Sequence, residues 1–190
     1  MTDHESGRFH GTWRTFEPIH IDGPTSPHPP RCELVVGVDA HPEIHPALLY
    51  AIAFAGQLAA GLRIVHTIDP ADYPIEPDSP YYEQEFADTL ESECTRTRAA
   101  LATFTGSWSY DLTGGDPAHL LTTIANACDA MMIVIGTPHR GLTSIFERFS
   151  RNSVATHLMH HTHRPLLMVP DAARFSIRPD IPVTPPAPMT

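Results

Sequence analysis

The sequence predicts an α/β domain built on a doubly wound, five-stranded parallel sheet with four helices, and three observations carry that expectation. Short runs rich in Val, Ile and Leu ("ELVVGVD", "LRIVHTID", "MMIVIGT", "RPLLMVP") have the length and branching of strands buried on both faces. Segments with helical spacing alternate with them, which is the order of a parallel sheet wound by crossover helices. Two helix starts are written into the chain, at Pro46 and at the pair Asp116 and Pro117.

Taken in order, "ELVVGVD" is a central strand, and "HPALLYAIAFAGQLAAG" brings Leu48, Ile52, Ala55 and Ala59 onto one helical face between Pro46 and a stop at Gly61. "LRIVHTID" returns as the second strand, which makes a right-handed crossover. Beyond the proline-broken "PADYPIEPDSPYY", Phe86, Leu90, Cys94, Thr97, Leu101 and Phe104 recur every three or four residues, the strongest amphipathic pattern in the chain. "SWSYDLT" alternates as a strand, and "GDPAHLLTTIANACDA" is a helix capped by Asp116. "MMIVIGT" is the fourth strand, "SVATHLMHH" the last helix and "RPLLMVP" the last strand.

The twenty prolines concentrate toward the two ends, so residues 1–31 and 172–190 read as proline-rich tails around a domain at 32–171. A formal net charge of −10, with twelve basic residues that are all arginine and scattered, excludes a nucleic-acid footprint. Cys32, Cys94 and Cys128 are odd in number and far apart, which suits reduced thiols and a cytoplasmic location better than a disulfide framework. The most apolar stretch, "ALLYAIAFAGQLAAG", is too short to span a bilayer, so no membrane partner is expected.

In a doubly wound sheet ligands sit beyond the carboxyl ends of the strands, which nominates Asp39, Thr67 and the loop from Gly136. Asp39 reads equally as a ligand acceptor and as a turn carboxylate bound to local amides. A helix N-terminus at Asn152 and Ser153 offers a dipole and amides for phosphate, although Pro138 removes one amide from that loop. His157, His160, His161 and His163 crowd together without a carboxylate or thiolate, and no metal is expected. His66, inside a strand, reads as a hydrogen-bonded core histidine. No nucleophile elbow, zinc-protease motif or Walker loop is present and the chain has no lysine, so no catalytic residue is nominated.

Four segments together resemble the universal stress protein family: "VVGVDAHPEIHPAL", "HTID", "GDPAHLL", and "MMIVIGT" with "NSVATHLMHHTHRPLLMVP". The resemblance covers Glu33 to Pro170 and implies an adenine-nucleotide crevice. It maps the site onto Asp39, Thr67, Gly136, His139 or Gly141, Asn152, Ser153 and Val154. The family's phosphate loop is G-x-x-G-x(9)-G-[ST]; here Gly136 and Ser153 lie three residues further apart, and Asn152 stands at the last glycine position. From this departure we expect a non-catalytic stress or signalling module with adenine-nucleotide binding weakened or lost. The alternatives are a competent ATP or AMP binder, with Mg and at most slow hydrolysis, and a protein-docking module using the enlarged loop and tails. The resemblance also implies a homodimer through the last strand, Pro165 to Val169, and leaves room for a protein partner.

Overall fold

The computed structural model describes residues 18–24, 26–39, 45–68, 79–137 and 154–173. The described strands are β1 (Ile19–Asp22), β2 (Glu33–Val38), β3 (Gly61–Ile68), β4 (Trp108–Gly114), β5 (Met132–Gly136) and β6 (Leu166–Val169). The described helices are α1 (Pro46–Leu58), α2 (Tyr82–Leu101), α3 (Pro117–Ala127) and α4 (Val154–His161). They form one sheet of order β1-β4-β3-β2-β5-β6, parallel throughout except for β1, which runs antiparallel to β4.

The expected α/β class and the alternation of strands with helices hold, and the strand count is corrected from five to six. The added strand, "IHID", lies in the stretch read as an N-terminal tail and pairs Ile19 with Leu112 through Asp22 with Ser109. Its backbone pairing continues one residue further, where the Gly23 amide donates to the Trp108 carbonyl at 2.7 Å. A side chain at Gly23 would collide with the Trp108 indole, so glycine is what lets the chain lie flat on that ring.

Alternation along the strands divides the core in two. Leu34, Val36, Leu62, Ile64, Tyr110, Leu112 and Val134 face α1 and α2 with Leu48, Ala51, Ala55, Leu90 and Leu101. Val35, Val65, Ile133 and Ile135 face α3 and α4 with Leu121, Ala125, Ala155 and Leu158. Covering both faces explains why these strands read as continuous apolar runs.

Helix ends follow the sequence at α3, where the Asp116 carboxylate accepts from the His119 amide at 2.7 Å and Pro117 takes the first turn. The stop of α1 is corrected. Ala59, not Gly61, takes the left-handed position, at φ 53°, and Gly61 opens β3 against the Glu33 side chain. Among the described residues, no helix is long and apolar enough to cross a membrane, and Cys32, Cys94 and Cys128 are free thiols.

Candidate functional site

The chain leaves β2 in one direction, to β3 and β4, and returns on its other side to β5 and β6. The order therefore reverses between the carboxyl ends of β2 and β5, where such sheets open a crevice. Two expected site residues stand at its mouth: Asp39 follows β2, and Gly136 ends β5. Register sets Val36 beside Val134, which brings Gly136 level with Val38. Thr67 sits on β3 one residue beyond the paired Val38 and His66, as Asp39 does on β2, and it is buried.

Between Asp39 and Gly136 the chain inserts an imidazole. His45 is the N-cap of α1: its Nδ1 accepts from the Ala47 amide at 3.2 Å, while Pro46 occupies the first helical position. A nitrogen that accepts cannot carry the proton, so the proton sits on Nε2, which donates to Asp39 Oδ1 at 3.0 Å. The same ring packs on Gly136, where a Cβ would run into it. Both ring nitrogens are thus committed, and this histidine has no lone pair to offer as a general base. Asp39 keeps 55% of its side chain exposed while His45 is buried to 8%, so the carboxylate holds the plug from the solvent side.

One backbone donor at this corner is also engaged. The Thr137 amide, the first beyond β5, donates to the Val169 carbonyl at 2.9 Å. After β4, Gly115 adopts φ 140°, a conformation that favours glycine, and turns the chain into the Asp116 cap.

Beneath the mouth, on the α1 and α2 side, lies a buried polar knot. His66 Nδ1 meets the Tyr110 hydroxyl at 2.7 Å, as expected of a core histidine. His66 Nε2 lies 3.4 Å from Glu93 Oε2 of α2, within ion-pair range but without hydrogen-bond geometry. Burial pushes the His66 pKa down to about 4, against the pull of the Asp39 charge and with a smaller push from His45. Burial likewise raises the Tyr110 phenol, with the Cys94 and Glu93 charges adding to it.

The structure therefore brings Asp39, Thr67 and Gly136 to the carboxyl ends of three adjacent strands, β2, β3 and β5. Val154, the first residue of α4, is half-buried and packs with the α3 cluster. His139, Gly141, Asn152 and Ser153 lie outside the described residues, as does the enlarged loop. His45 was missed by reading the sequence for ligand motifs, although its place directly before Pro46 marks a cap position normally held by Ser, Thr, Asp or Asn. Glu93 was missed because a carboxylate within an amphipathic stripe reads as solvated.

A parallel sheet covered on both faces, with an aspartate and a glycine at its switch point, defines a protein of the nucleotide-binding-like α/β class. The model of the universal stress protein family matches residues 33–170. The chain belongs to that family. No curated protein matches it. Among solved structures, a universal stress protein in complex with cAMP is 21% identical with a TM-score of 0.52, covering 74% of this chain and 98% of its own. A universal stress protein family member from Burkholderia pseudomallei is 22% identical with a TM-score of 0.50, covering 73% of this chain and 96% of its own. At these identities the likeness is one of fold.

Proposed function

We propose that this chain is a non-catalytic stress or signalling module of the universal stress type whose adenine-nucleotide binding is weakened by its own His45. The observation that carries the reading is the imidazole held between Asp39 and Gly136. An adenine or ribose group that donates a hydrogen bond to Asp39 competes with the His45 Nε2–H for that carboxylate, and a phosphate approaching Gly136 meets the same ring. Asp39 and Thr67 suit the base and ribose side of a nucleotide, and a universal stress protein of similar fold is known in complex with cAMP. The phosphate side is poorer, because the Thr137 amide is already spent on Val169.

The test keeps the helix cap while removing the ring. His45→Ser retains an N-cap oxygen and vacates the crevice. We expect millimolar ATP with magnesium, AMP or cAMP to move the Tm of the natural chain by less than about 1 °C and that of His45→Ser by several degrees. A large shift in the natural chain that Asp39→Ala abolishes would establish the competent-binder alternative instead.

A homodimer through β6 belongs to the same proposal, with the chain acting in the cytoplasm. β6 pairs with β5 on one side, and its apolar "LLMV" has no strand on the other among the described residues. The carbonyls of Pro165 and Val169 point to β5, so by alternation the Leu166 and Met168 backbone groups point outward. Met168→Pro removes an outward amide, together with a side chain that packs on the α3 and α4 core, and should convert a dimer to a monomer in sedimentation. A natural chain that sediments as a monomer at micromolar concentration would end this part of the proposal.

A further inference from the structure

The last turn of α4 and the residues after it carry His157, His160, His161 and His163, which the crevice does not use. Ala155 and Leu158 are the buried residues of this helix, and His157 and His161, one turn apart, are exposed. Their ring centroids lie 6.1 Å apart with planes at 87°. Two imidazoles sharing one ion at ordinary zinc–nitrogen distances need centroids about 5 Å apart. Rotation of two exposed side chains within their rotamer wells covers the difference.

Chemistry narrows the ion. The donors are two imidazoles with no carboxylate, which favours zinc, copper or nickel over magnesium or calcium. The helix C-terminus adds the partial negative charge of its unpaired carbonyls, which favours a cation there. His160 lies about 60° around the helix from His157, on the side away from His161, and the ring contact in the structure is between His157 and His161. Among the described residues no three His, Cys, Asp or Glu groups converge as a metal site, so the proposed chelate is the pair.

We propose that His157 and His161 chelate one late first-row divalent transition-metal ion, with water completing its coordination. The site is on the solvent face of α4 and is independent of what occupies the crevice.

The test is calorimetric titration of the full chain with Cu2+ or Zn2+ alone in a non-chelating buffer, with far-UV circular dichroism as the folding control. The first equivalent should bind Cu2+ more tightly than Zn2+, and His157→Gln/His161→Gln should weaken it at least about tenfold. His160→Gln/His163→Gln should leave it within about twofold. In NMR spectra, substoichiometric Cu2+ should broaden the His157 and His161 ring protons before those of the other histidines. Equal losses in the two double variants, first broadening at another histidine, or no binding below millimolar metal would each overturn the proposal.

Discussion

Tyr110 and Asp111, neighbours on β4, each hold a histidine, and the two sites push imidazole chemistry in opposite directions. Tyr110 faces the core and meets His66, which is 2% exposed and has its pKa lowered by burial. Asp111 meets His20 of β1 at 2.6 Å, in a pair that leaves the His20 side chain 56% exposed. That hydrogen bond and the Asp111 charge raise the His20 pKa, with a smaller contribution from Asp22 at 3.3 Å. One residue of register thus separates a histidine whose pKa is lowered from one whose pKa is raised. Solvent decides the first and a carboxylate the second.

The largest expected effect breaks the buried half of this comparison. The folded chain keeps His66 neutral down to about pH 4, whereas the unfolded chain takes up that proton near 6.5. The associated stability is present above 6.5 and disappears as pH falls toward 4, a loss of about 3 kcal/mol. Urea denaturation across that range should show it, and His66→Gln, which does not titrate, should flatten the curve.

Tyr110→Phe comes next. It leaves His66 Nδ1 buried without its 2.7 Å partner and should cost about 1–3 kcal/mol, read from the urea midpoint at pH 7.5.

At the sheet edge, Gly23→Ala forces a methyl into the Trp108 indole. It should release β1 with a cost of about 1–2 kcal/mol, visible as faster amide exchange in β4 while β2 and β5 keep their protection.

Asp111→Asn has the smallest effect. His20 contributes stability below its unfolded pKa and loses it as pH rises through the raised folded value. At this exposure the pair is worth well under 1 kcal/mol. The clear readout is the NMR titration of His20, which should fall back toward 6.5 in Asp111→Asn.

How far the sequence carried the reading depends on how each element is encoded. β2, β3, β5 and β6 carry apolar runs and β4 an alternation, so all five parallel strands were legible, and Asp116 with Pro117 announced α3 by cap chemistry that acts within four residues. β1 was not legible, because it is four residues long and exposed on most of its surface, with prolines on either side. Its Ile-His-Ile-Asp alternation becomes meaningful only once Asp111 and Trp108 are opposite it. In the candidate site, Asp39, Thr67 and Gly136 followed from strand ends alone, since topology places those ends together. His45 did not, because its role depends on Gly136, ninety-one positions away in sequence, and on the absence of a side chain there.

The strap at one end of the sheet also bears on how copies of the chain can associate. β1 is short, presents His20 and Asp22, and is followed by Gly23 and Pro24, which makes a poor template for another strand. A sheet with two receptive edges could add copies at both ends and grow into a ribbon. With one edge dressed in this way, the described residues leave strand pairing a single direction, and in the proposed dimer two copies that meet through β6 consume each other's free edge and close. In the proposed dimer, the four residues of β1 would thereby limit assembly size from the far side of the molecule.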